Sequence, residues 1–187
     1  MRFRVPPLAR LAGVLCLGAA LSGCASGART GAMTPELSPS GVINQNSPLR
    51  GAVQIGSVTG GSETNPLWKS KVSNDNFRSA LEQALQLYTM TAADRPRFVL
   101  DAELVELKQP FAGFDMTVTA SVHYRLRVQD SQQIVMDEVI ATPYQAKFGD
   151  ALLGYERLRL ANEGAVRENI TAAMQKLVNI AGTLPTS

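Results

Sequence analysis

Thr117-Val118-Thr119-Ala120-Ser121-Val122-His123-Tyr124-Arg125-Leu126-Arg127-Val128 is the stretch that decides the fold. Val118, Ala120, Val122, Tyr124, Leu126 and Val128 occupy one set of alternate positions. Thr117, Thr119, Ser121, His123, Arg125 and Arg127 occupy the other. Successive side chains of a strand point to opposite faces, so this run predicts a long strand with one dry and one wet face. Strands of that kind belong to antiparallel sheets covered on a single side.

Working outward, Gln109-Pro110 marks a turn before this strand and Asp130-Ser131 a hairpin turn after it. Beyond the hairpin, residues 133–141 (QIVMDEVIA) supply a further strand. Upstream, Phe98, Leu100, Ala102 and Leu104 alternate with Asp101 and Glu103, which makes another strand after the break at Asp94-Arg95-Pro96. Residues 52–59 (AVQIGSVT) alternate around Val53, Ile55 and Ser57 and stop at Gly60-Gly61. Two helices complete the pattern. Ser73 or Asn74 caps the first, whose stripe is Phe77, Leu81, Ala84, Leu85 and Tyr88. The second begins near Asp150 and carries Tyr155, Leu158, Ala161, Ala165, Ile170, Ala173, Leu177 and Ile180. Glu163 and Arg167 stand as an i,i+4 pair on its polar side, and Gly182 and Pro185 end it. The order β-α-β-β-β-α predicts an α+β fold of two layers. Its four-stranded, mainly antiparallel sheet carries two helices on one face.

The first 24 residues have a different character. Arg2, Arg4 and Arg10 precede the apolar run 11–20 (LAGVLCLGAA), and small residues lead to Cys24. This is the layout of a secretory signal, too short for a comfortable membrane span. Leu21-Ser22-Gly23-Cys24 resembles a bacterial lipobox. The resemblance implies cleavage before Cys24, a diacylglycerol on its sulfur and an acyl chain on the new amine. One acyl chain binds a bilayer only marginally at about 0.8 kcal/mol per buried methylene, whereas two or three hold a protein there. Position 25 is Ala rather than the Asp that retains such proteins in the inner membrane, which implies the periplasmic leaflet of the outer membrane. The expected organisation is a signal peptide over 1–23, a lipidated flexible tether over 24–48, and a single domain over 49–187. The tether expectation rests on the aperiodic, Gly-, Ser-, Thr-, Pro- and Asn-rich composition of residues 25–48.

Processing alters the charge argument. Taking Arg2, Arg4 and Arg10 from 18 Lys+Arg against 16 Asp+Glu leaves a net charge of −1, so the basic character belongs to the leader. Nucleic acid is therefore not an expected partner. Cys16 leaves with the signal and Cys24 is acylated, so no thiol remains for a disulfide, a metal or a nucleophile. Beyond the covalent lipid on Cys24, no cofactor is expected.

Catalytic motifs are weak. The glycine-rich run Gly56–Ser62 lacks the Lys of a phosphate-binding loop, and no G-x-S-x-G elbow occurs. His123 is the single histidine, with Asp101 and Glu103 as the carboxylates expected on the same wet face. The candidates for contact are different residues. Trp68 lies in a loop beside Pro66, where it either closes the core or anchors a partner. Phe111 and Phe114 flank a turn, with local packing and partner contact both open. His123, Arg125 and Arg127 form the basic end of the wet face, read either as solvated surface or as an anion- or partner-docking stripe.

A lipobox, a polar tether and one β-α-β-β-β-α domain resemble the small envelope lipoproteins that accompany transport or assembly machines. Among them are the lipopolysaccharide-assembly lipoprotein, the auxiliary lipoproteins of ABC-type lipid transporters, and the YajG type. The resemblance implies a non-enzymatic accessory component, held to the outer membrane by Cys24 and acting through an envelope protein complex. Two alternatives stay open: a carrier with a lipid or glycolipid ligand between the sheet and the long helix, and an envelope acyltransferase using His123 as base.

Overall fold

A computed structural model of the chain describes residues 27–37, 43–62 and 71–184. The elements are α1 (Thr30–Met33), β1 (Val53–Thr59), α2 (Asn74–Leu87), β2 (Phe98–Lys108), β3 (Met116–Val128), β4 (Ile134–Ala146) and α3 (Gly154–Ala181). The four strands form one mixed sheet in the order β1-β2-β3-β4. β1 runs parallel to β2, with α2 as the crossover, while β2, β3 and β4 form an antiparallel meander. The fold is α+β, as the alternation in β3 predicts.

The inward residues of β3, Val118, Ala120, Val122, Tyr124 and Leu126, are fully buried. They meet Phe77, Leu81 and Leu85 of α2 and Ala161, Ala165, Val166, Ile170, Ala173 and Leu177 of α3 in one core. Along α3 the ridge that recurs every four residues reads Ala161, Ala165, Asn169, Ala173, Leu177, mostly small side chains that admit close approach to the sheet. Gly164 extends this. A Cβ there would stand 2.2 Å from the Tyr144 ring of β4, so glycine is what lets that ring lie against the helix backbone.

Asn169 is the polar member of the ridge and is fully buried. A buried amide is costly unless bonded. Its Nδ2 donates to the carbonyls of Ala120 (3.0 Å) and Ile140 (2.8 Å) and to Thr142 Oγ1 (3.1 Å), and its Oδ1 accepts from the Tyr124 hydroxyl at 3.0 Å. Burial pushes that phenol far above its ordinary pKa, so it stays a neutral donor.

Four expectations need correction. First, residues 27–37 and 43–48 pack on the domain instead of standing off as a tether. Ala28, Met33 and Ile43 are buried in the core, and α1 sits against α2 and α3. Sparse apolar residues without a period are enough when a few of them are drawn into the core. Residues 1–26, Cys24 included, lie outside the described chain. Second, Glu163 does not face solvent with Arg167. Its carboxylate is buried and accepts from the Arg29 backbone N–H (2.9 Å), Nε (3.1 Å) and a terminal nitrogen (3.2 Å). That ion pair raises the Arg29 pKa through the hydrogen bond and then the Coulombic attraction. Arg167 instead donates to the Ala32 carbonyl.

Third, β4 continues through Pro143 to Ala146, five residues past its expected end. Proline is tolerated because β4 is an edge strand. Fourth, α3 begins at Gly154, since Phe148–Asp150 form a separate 3₁₀ turn in which the Lys147 N–H donates to Asp150.

Two substitutions test this packing. Arg29→Ala strips two side-chain donors from a buried carboxylate and should cost about 1–3 kcal/mol. Urea denaturation reads the loss, with faster amide exchange at Ala28–Met33. Gly164→Ala should cost about 1–3 kcal/mol by overpacking, and adding Tyr144→Ala should recover part of it.

Candidate functional site

Two surfaces gather the predicted residues. The first is the sheet face that no helix covers among the described residues. Cross-strand register places His123 opposite Glu103 on β2 and Val139 on β4, and Arg125 opposite Asp101 and Asp137. Ser57, Thr59, Asp101, Glu103, His123 and Arg125 line a shallow depression of about 220 Å³.

Its electrostatics differ from those of a bare basic stripe. Arg125 Nε donates to Asp137 Oδ2 at 3.1 Å, and His123 Nε2 is hydrogen-bonded to the other oxygen of the same carboxylate. The hydrogen bond from His123, seconded by that from Arg125, holds the Asp137 carboxyl below the ordinary aspartate value. Arg127 Nε donates to Asp101 Oδ2 (3.2 Å) and a terminal nitrogen donates to Gln132 (2.7 Å). Asp101 Oδ1 also accepts the Ser57 N–H at 2.6 Å, where β1 and β2 slip register between Ile55 and Val58. Gly56 permits that approach, because a Cβ there would overlap the Asp101 carboxylate at 2.1 Å. His123, Arg125 and Arg127 are thus each paired with a carboxylate or amide of the same face. What remains is a neutralised, ladder-like polar face with Val139 exposed in its middle.

Asp137 went unnoticed in the sequence. The signal was available, since Arg125 and Asp137 stand equally far from Ser131 at the hairpin tip. Among the described residues no three of His, Cys, Asp and Glu gather as a metal set.

The second surface is the end of the domain where β2, β3, β4 and α3 meet. Phe111 is fully exposed and Phe114 is 79% exposed, in the β2–β3 loop; Leu152 is 83% exposed, in the β4–α3 loop. Phe148 and Leu153 of the same connection are half-exposed. The two loops are tied together. Phe114 meets Phe148 edge-on with ring centres 5.7 Å apart, and Asp115 accepts the Phe148 N–H at 2.9 Å. Arg157 stacks its guanidinium 4.9 Å from the Phe148 ring centre and donates to the carbonyls of Ala151 and Leu152. The contact reading of Phe111 therefore stays open to a partner, while Phe114 does both: it packs on Phe148 and faces solvent. Phe148, Leu152 and Leu153 were missed, although an apolar doublet just ahead of a helical stripe was a readable signal. Trp68 lies outside the described residues.

Against known proteins, no family model and no curated sequence matches this chain. Solved structures do share the fold. A Xanthomonas campestris protein of the DUF330 family superposes with a TM-score of 0.55 at 11% identity, over 76% of this chain and 92% of its own. A Caulobacter crescentus chain named as a lipoprotein gives 0.51 at 12% identity, over 72% and 93%. A Chlamydia trachomatis protein gives 0.54 at 12% identity, over 72% and 99%. At such identities the likeness is one of fold alone.

The neutralised face makes a titration prediction. A depressed carboxyl pKa stabilises the folded chain at pH values above the ordinary aspartate pKa, and the contribution fades as pH falls through the depressed value. Carbon-detected NMR of Asp137 should place its midpoint below that of ordinary aspartates. His123→Ala should move it back up, and an unchanged midpoint would contradict the pairing.

Proposed function

We propose that the chain is a lipid-anchored periplasmic lipoprotein of a Gram-negative outer membrane, and that it serves a cell-envelope transport or assembly system by binding rather than catalysis. The observation that carries the reading is the lipobox-like Leu21-Ser22-Gly23-Cys24 at the end of an export signal, directly before a folded α+β body. Diacylglycerol on the Cys24 sulfur and an acyl chain on its amine supply the anchor. The fold shared with the Caulobacter chain named as a lipoprotein supports this reading. The resemblance to lipopolysaccharide-assembly, ABC-transport auxiliary and YajG-type lipoproteins is the ground for placing it beside such a machine.

The carrier alternative is less favoured. A ligand between the sheet and α3 has to displace Tyr144 from Gly164 and break the bonds of Asn169 to both central strands. The acyltransferase alternative has only the His123–Asp137 pair, on an open and shallow face, to supply its base. The open face, with exposed Val139 between charged ladders, is the better binding surface.

In a Gram-negative host the wild-type chain should fractionate with the outer membrane, and its N-terminal peptide should carry the mass of acylated Cys24. Cys24→Ala should shift it to the soluble or unprocessed pool. A free thiol at Cys24, or a product retaining Met1, would overturn the reading.

A further inference from the structure

We propose that the domain end bearing Phe111, Phe114, Phe148, Leu152 and Leu153 rests in the interfacial layer of the same bilayer that holds Cys24. The inference builds on the acylated-Cys24 reading and adds an orientation to it. Its first support is where the chain arrives. The Ala28 N–H donates to the Lys71 carbonyl, and Ala28 in turn accepts from the Asn76 amide near the start of α2. Lys71 and Gln109 line one shallow cavity of about 270 Å³ at the ends of β1 and β2. Gln109 also donates to Asn162 in the first third of α3. Gln109 stands two residues before Phe111, so the chain entering at Gly27 joins the domain at the end that bears the exposed aromatics.

The second support is reach. Cys24 precedes Gly27 by three residues, which span about 10 Å when fully extended. Because Ala28 and Arg29 are already tied to the body, the domain has almost no tether, and this end faces the lipid at close range.

The third support is the chemistry of the tips. Beside the exposed acids Asp115 and Asp150, the tips carry phenyl and isobutyl groups that project from two loops, with Lys108 and Lys147 exposed nearby. A fluid layer closes around projecting groups, whereas a rigid protein partner needs matching hollows. Lysine stems lie along apolar surface while the ammonium reaches phosphate level. Arg157 fixes Phe148 and the carbonyls of Ala151 and Leu152, so the loops enter with their polar backbone partly satisfied.

The test uses the full lipidated chain reconstituted in vesicles of phosphatidylethanolamine with phosphatidylglycerol. On this reading the mature protein has no thiol besides the acylated Cys24, so F111C, L152C and, at the opposite hairpin tip, D130C each accept one nitroxide label. All three positions are exposed, and substitution there leaves the core untouched. Labels at 111 and 152 should lose collisions with a water-soluble nickel chelate several-fold relative to 130, while gaining collisions with oxygen. Chelate access at 111 and 152 equal to that at 130, on protein whose Cys24 peptide has the acylated mass, overturns the proposal and leaves the anchor standing. Shielding from both chelate and oxygen means burial against protein and overturns it too. An unmodified Cys24 peptide, read separately, overturns the anchoring itself.

Discussion

The seating of α3 on the central strands is the constraint that the rest of the structure obeys. Asn169 reaches carbonyls on β3 and β4 at once and holds the Tyr124 hydroxyl, so the helix has one azimuth in which its buried polar atoms are paired. A rotation that removes Asn169 from the sheet leaves several buried groups unbonded, at about 1–3 kcal/mol each. Gly164 fixes the same seating sterically, since no other residue there leaves room for the Tyr144 ring. With α3 fixed, Glu163 is turned towards α1 and Arg157 towards the β4–α3 loop. The attachment of the N-terminal segment and the shape of the aromatic end both follow.

Much of this was legible in the sequence, and the failures have a common cause. The alternation over residues 117–128 identifies β3 and its covered face because a strand half-buried by helices enforces period two. α2 was legible through its stripe and its cap, Ser73, whose side chain accepts from the Asn76 N–H. Glu163 was misread because its true partner, Arg29, is 134 residues away, and local spacing offers Arg167 instead. Residues 24–48 read as a tether because their isolated apolar side chains carry no period, yet Ala28, Met33 and Ile43 are buried. The last turn of β4 was lost at Pro143, a residue that argues against a strand unless the strand is known to be an edge.

The binding surfaces were half-legible for a related reason. A basic stripe on one strand gives no information about its neighbours until register is known. Here the register brings Asp101 and Asp137 alongside Arg127 and Arg125, and the stripe becomes a ladder of pairs. Phe111 and Phe114 were visible as aromatics in a turn. Their company, Phe148, Leu152 and Leu153, comes from a loop that approaches only after β4 has crossed the sheet.

The proline in β4 also bears on how the molecule behaves among copies of itself. An outer strand offers a row of donors and acceptors to any extended peptide that drifts against it. At position 143 that row has a gap, because an imino nitrogen carries no hydrogen. A visiting strand that follows the rim from Ile134 meets a missing rung before it reaches Ala146, and its ladder is interrupted there. Runaway stacking of sheets is thereby discouraged along this 13-residue outer strand.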